Sequence, residues 1–101
     1  MGTGEPTQFT ASAFNHGISE RQIREVLAND SREEFELAED ANGDPCEMVV
    51  GYDLAGRLVE IGICYESDVK ENVNIRVFHA WKARNQWQKE YNLRKQNRGL
   101  E

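Results

Sequence analysis

The apolar residues of this chain fall into short patterned stretches separated by turn-formers. Residues 1–7 carry no apolar period and are rich in Gly, Thr and Pro, which predicts a frayed arm over 1–8. A short helical turn is expected over 11–15, closed by His16-Gly17. Ser19, followed three residues later by Gln22, has capping-box spacing, and Ile23, Val26 and Leu27 share the next helical face, so a helix is predicted over 19–29. Beyond Asn29-Asp30-Ser31, Phe35 and Leu37 alternate with Glu34 and Glu36 as in a short edge strand whose acids discourage further pairing.

A loop of Asp, Asn, Gly and Pro over 40–45 leads into an alternating strand over 46–52, with Cys46, Met48, Val50 and Tyr52 facing one way. Asp53-Leu54-Ala55-Gly56 predicts a tight turn with Gly56 at positive φ, and 57–65 returns with Val59, Ile61 and Ile63 on its core face. After a charged connection, 73–79 reads as a strand with Val73, Ile75, Val77 and His79 on one face and Arg76 and Phe78 on the other. From 80 to 95 the period turns helical. Ala80, Ala83, Trp87 and Tyr91 form a stripe, Arg84 and Lys95 line its edge, and Lys82 and Lys89 lie on the solvent side.

There are no internal repeats. The order implies one α+β domain over 9–96: an antiparallel sheet of three to four strands, with an N-terminal helix or helices and a C-terminal helix packed on it. Residues 97–101 form a tail, of which Leu100-Glu101 has the look of a vector-derived addition.

Composition fits a globular domain of 101 residues, 39% hydrophobic and 30% charged, and no apolar run is long enough to span a membrane. Without an export signal at the N-terminus, the cytoplasm is the expected compartment. Cys46 and Cys64 lie in predicted strands at no metal-ligand spacing and are read as reduced core residues; no metal or cofactor is expected. The net charge of −6 is unevenly spread: Glu25 to Asp53 holds ten acids against Arg32 alone, and Arg76 to Arg98 holds seven bases against Glu90 alone. Such a chain can attract an anion to one face and a basic partner to the other.

No phosphate-binding Gly loop or nucleophile elbow is present. The candidate chemistry gathers at the junction of the last strand and the last helix, where Arg76, His79, Lys82 and Arg84 lie within nine residues. A helix N-terminus already favours an anion, and guanidinium groups add to that preference. Lys82 or Arg84 could stabilise the pentacovalent phosphorane of RNA cleavage, with His79 transferring protons and a ribose 2′-hydroxyl as nucleophile. Against this stand plainer roles: a half-buried His79, Arg76 as a cross-strand partner for an acid such as Glu60, and Trp87 and Tyr91 as core residues rather than stacking faces. His16 reads as a turn residue unless the fold brings it to Arg84.

Three stretches together resemble the BrnT family of toxins: His16-Gly17-Ile18-Ser19 before a short helix, Gly51-Tyr52-Asp53 with Gly56-Arg57 in a hairpin, and Arg76-Val77-Phe78-His79-Ala80 followed by Lys82-Ala83-Arg84. The similarity runs from about Phe9 to Tyr91. It implies a fold related to RelE-like ribonuclease toxins, metal-independent cleavage of RNA, and neutralisation by a small DNA-binding ribbon-helix-helix antitoxin. The residues carried over are Arg57, Arg76, His79 where the family usually has Ser, Lys82 and Arg84, with Lys89, Tyr91 and Lys95 as RNA contacts. The chain departs from the family pattern in having Phe14-Asn15 and no lysine before His16, and Trp81 where Arg is common. The alternative is a non-catalytic module, a degenerate relative that pairs with a small basic protein. Homodimerisation is left open.

Overall fold

A computed structural model describes residues 7–67 and 73–99. Five strands form one sheet in the order β1-β5-β4-β3-β2: β1 (Thr7–Phe9), β2 (Glu33–Leu37), β3 (Cys46–Tyr52), β4 (Leu58–Ser67) and β5 (Val73–Lys82). A 3₁₀ turn (Ala11–Phe14) follows β1, α1 (Glu20–Leu27) precedes β2, and α2 (Asn85–Gly99) ends the described chain. The fold is α+β, as the patterning implies. The sheet departs from that expectation: it has five strands rather than three or four and is mixed, because β1 pairs with β5 in parallel. Among the described residues, N-terminal helical structure is limited to the 3₁₀ turn and the eight residues of α1. Thr7 and Gln8, read as part of the arm, belong to β1, and the rest of the arm lies outside the described residues.

Alternation along β3 sends its side chains to two cores. Val49 joins Ile23 and Val26 of α1, with Val59, Ile61, Ile63, Val77 and Ala80. Met48 and Val50 join Phe35, Ala83 and Tyr91, backed by Trp87 of α2. The helices therefore cover opposite faces of the sheet. The Ser19 capping box is formed: the hydroxyl accepts from the Gln22 amide at 3.1 Å, and the Ser19 amide donates to Gln22 Oε1 at 3.0 Å.

The tight turn after β3 forms with Gly56 at φ 81°, in the left-handed region that favours glycine. Asp53 organises it. The carboxylate, shut off from solvent, accepts from the amides of Ala55 (3.0 Å) and Arg57 (2.9 Å) and from the Gln22 side chain (3.1 Å), tying the hairpin to α1.

That turn sets the register of β3 against β4, which runs from Tyr52 opposite Leu58 to Cys46 opposite Cys64. The two cysteines are joined as a disulfide, which corrects their reading as reduced thiols. Side chains directly opposite in an antiparallel pair are close enough to bond. Asp40 brings a carboxylate oxygen within 4.8 Å of both sulfurs, but Arg76 holds that carboxylate at 2.7 Å and the disulfide leaves no thiolate to bind a metal. Reduction with dithiothreitol is expected to lower stability by about 3 kcal/mol, the loop-closure contribution for a loop of this size. Melting curves with and without reductant check it, with Cys46→Ser and Cys64→Ser as controls that reductant no longer affects.

A β-bulge between Gly62 and Ile63 decides where the chemistry goes. Ile63 pairs with Val77 but Gly62 pairs with His79, so Phe78 is the extra residue and alternation along β5 is broken. Val77 and Ala80 both point into the α1 core, and His79 and Trp81 take the α2 face with Glu60. His79 thus parts from Val73, Ile75 and Val77, with which simple alternation had grouped it. A Cβ on Gly62 would come within 2.7 Å of the Phe78 ring, so a larger residue there would have to push that ring aside. The strand also continues to Lys82, and α2 starts at Asn85 rather than near residue 80.

Candidate functional site

Glu60 is an acid in the middle of an apolar strand, and it is fully buried. Burying a carboxylate is costly unless it is paired and hydrogen-bonded. Here the partners are complete. His79 Nε2 lies 2.7 Å from Oε2, Arg84 Nη2 lies 2.6 Å from the same oxygen, and the Arg84 amide donates to Oε1 at 2.8 Å. Burial pushes the carboxyl upward, but the hydrogen bonds from Arg84 and His79 outweigh it and hold Glu60 below its ordinary 4.5. Glu60 is the anion seated at the strand-to-helix junction. The position that the sequence suggested for a phosphate is filled by the protein's own side chain.

The surroundings of this group are aromatic. The His16 ring lies flat on Trp81, with centroids 3.8 Å apart and planes within 4°, and meets His79 edge-on at 5.7 Å. Arg84 places its guanidinium carbon 5.2 Å from the Trp81 ring centroid. His16 therefore joins the Arg84 neighbourhood through Trp81. It is brought there by the turn between the 3₁₀ segment and α1, which passes the part of β5 beyond Val77 that β1 does not cover.

Lys82 and Arg57 lie on the other side of this edge. Lys82 pairs with Val59 and shares its face, and Arg57 leaves the hairpin beside it. With His16, Trp81 and Gln22 they line a cleft of about 410 Å³. Arg57 contacts Asp53 only loosely, at 3.4 Å, and is largely exposed. A larger groove, about 960 Å³, runs along α1, but its charged lining residues Glu20, Arg21, Arg24 and Glu25 are paired with one another.

Four of the five residues proposed from sequence for catalysis thus surround the Trp81 edge: His79 and Arg84 on Glu60, and Lys82 and Arg57 in the cleft. Arg76 is elsewhere. It projects from the far side of the bulge and is clamped by Asp40 at 2.7 Å and Glu66 at 3.1 Å. The hydrogen bond to Asp40 raises the Arg76 pKa, and the same bond lowers that of Asp40.

The residues expected to contact RNA along α2 divide similarly. Tyr91 is buried, its hydroxyl donating to the Ser31 carbonyl at 3.3 Å. Lys95 approaches Glu33 at 2.9 Å and Arg98 does so at 2.9 Å, with Arg94 at 3.5 Å, so three bases of the run neutralise one buried acid. Lys89 is exposed on α2. The basic and acidic stretches of the sequence are therefore interleaved in space rather than set on separate faces. Glu60 is the site residue that the sequence did not single out for chemistry, and His16 was a candidate only on condition that the fold brought it to Arg84. The signal for Glu60 was an acid between Val59 and Ile61, on the side of the strand opposite to both.

Acidification tests this arrangement. Glu60 and Asp53 both stay below their ordinary values: for each, burial raises the pKa but hydrogen bonds lower it further, from Arg84 and His79 for Glu60, and from Arg57, Gln22 and Ala55 for Asp53. A carboxyl lowered on folding contributes stability that is full above its unfolded pKa and lost as pH falls through the folded one. Urea midpoints are expected to hold at neutral pH and drop steadily below 4.5. Glu60→Gln should flatten that dependence.

No protein-family model and no curated protein matches the chain.

Proposed function

We propose that the domain is a toxin-like, metal-independent ribonuclease whose working site is the exposed edge of β5. The observation that carries this reading is His79, held through Nε2 by a buried, ion-paired glutamate, with the cleft containing Lys82 and Arg57 across the same strand edge, beyond Trp81 and His16. A buried carboxylate fixes an imidazole in one orientation and keeps its second nitrogen available for proton transfer. In the proposed reaction His79 takes the proton of the ribose 2′-hydroxyl. The 2′-oxygen attacks phosphorus, the bond to the 5′-oxygen breaks, and the proton is returned to the leaving oxygen. Arg84 acts beside His79, since its Nε and Nη2 serve Glu60 while the side chain remains about half exposed. Lys82 and Arg57 offer positive charge to the backbone.

The likeness to BrnT toxins in the His16, Gly51 and Arg76 stretches supports the same reading, and a small ribbon-helix-helix antitoxin is the partner it suggests. Incubation of purified protein with total RNA in EDTA tests the proposal. Degradation by the natural chain and its loss in Arg84→Ala is the expected result; intact RNA with both sinks the idea.

One observation favours the second reading, a non-catalytic module for a small basic partner. Glu36 lies directly opposite Glu47 at the β2 edge, with Glu34 on the same face. Burial raises the Glu47 pKa and the nearby Glu34 charge raises it further. Arg32 at 3.5 Å from Glu34 and the Tyr65 hydroxyl donating to Glu47 at 3.2 Å offset part of this charge, and the excess of acid over base at this edge is what a basic partner would meet. A complex that forms with a basic host protein and dissociates with salt, without RNA degradation, is the result that reading expects.

A further inference from the structure

This inference rests on the RNA-binding reading of the β5 edge and names which part of a nucleotide that edge takes. Trp81 presents an indole face at an exposed strand edge, and the His16 imidazole lies parallel on it at 3.8 Å, the way a base stacks on an aromatic side chain. The ring is exposed, and among the described residues no hydrogen bond or ion pair ties it down. Beside the stack, the cleft of about 410 Å³ holds Lys82, which forms no ion pair among the described residues, and the loosely held Arg57. Gln22, which also lines the cleft, is committed to Ser19 and Asp53.

We propose that Trp81 is the platform for a nucleobase and that His16 occupies it as a stand-in. When a nucleotide binds, the base displaces the imidazole from the indole, and the adjoining phosphate enters the cleft between Lys82 and Arg57. A nucleobase covers more of the indole than an imidazole does and brings an anion the cleft attracts, so the exchange favours the nucleotide. Of the polar side chains lining the cleft, Lys82 and Arg57 go to the phosphate, His16 is displaced and Gln22 is already hydrogen-bonded, which leaves none to read a base edge. Selection therefore follows stacking area, with purines ahead of pyrimidines.

The test is an NMR titration of the intact, isotope-labelled chain with adenosine 3′-monophosphate, cytidine 3′-monophosphate and inorganic phosphate. The adenosine nucleotide should move the Trp81 indole and His16 ring signals and leave the Trp87 indole still. It should bind more tightly than the cytidine nucleotide, with inorganic phosphate confined to Lys82 and Arg57. Trp81→Leu should weaken the adenosine nucleotide about tenfold, the effect of losing one base stack, and leave phosphate binding as it was. His16→Ala should tighten it.

A Trp81 signal in the natural chain that ignores the adenosine nucleotide overturns the proposal without any variant, as does equal affinity for that nucleotide and phosphate. Weaker binding by His16→Ala would make His16 a ligand contact and not a stand-in. The two readings also fail separately. Nucleotide on Trp81 with intact RNA removes the nuclease alone, and cleaved RNA with a silent Trp81 removes only this subsite.

Discussion

Replacing Glu60 with alanine is expected to destabilise the domain by about 3–5 kcal/mol, the cost of breaking a buried ion pair from one side. The size follows from what the side chain does. Its carboxylate is fully buried and takes hydrogen bonds from the Arg84 amide, the Arg84 guanidinium and His79, so it joins β4 to the end of β5 and the entry of α2. Without it, the Arg84 amide loses its partner and a cavity opens beneath the Trp81 edge. Denaturant unfolding reads the change directly. A loss below about 1 kcal/mol, the range of exposed pairs, would mean that the triad is a surface ion pair and does not set the position of His79.

The second large effect is on activity. His79→Ala is expected to lower the rate of RNA cleavage by about 10²–10⁴-fold, the contribution of a positioned proton-transfer group. The fold should survive this change, because Arg84 still neutralises Glu60 through two side-chain nitrogens and its amide. Single-turnover cleavage of a short RNA compares the natural chain with the variant, and circular dichroism confirms that both are folded. Equal rates would remove His79 from the chemistry even if Arg84 and Lys82 proved to matter.

Much of the scaffold was legible along the chain, and the reasons are local. Ser19 and Gln22 form the cap that their spacing suggests, Gly56 takes the positive φ its turn requires, and Val59, Ile61 and Ile63 fill the α1 core. The disulfide was legible too, in retrospect. With the turn at Asp53–Gly56, register places Cys46 opposite Cys64, a consequence of the hairpin that reading the two cysteines as separate core residues passed over.

What was not legible depends on distant pairing. Thr7–Phe9 has one large apolar residue and no period, and becomes a strand only because the edge of β5 is there to receive it. The extra residue Phe78 leaves no mark on a pattern of alternating residues, yet it turns His79 towards Glu60. Charge was the other blind spot. Arg76, Arg84, Arg94, Lys95 and Arg98 read as a free basic surface, whereas Asp40, Glu60 and Glu33, each more than twenty residues away, claim them. Among the described residues, Lys82, Lys89 and the loosely held Arg57 remain for an external anion.

The most direct measurement of the central claim is the chemistry of the RNA ends after incubation in EDTA. The proposed attack by the 2′-hydroxyl leaves a 2′,3′-cyclic phosphate on the upstream fragment and a free 5′-hydroxyl on the downstream one, both absent with His79→Ala. Fragments bearing 5′-phosphates, or RNA left whole by folded natural protein, would contradict it.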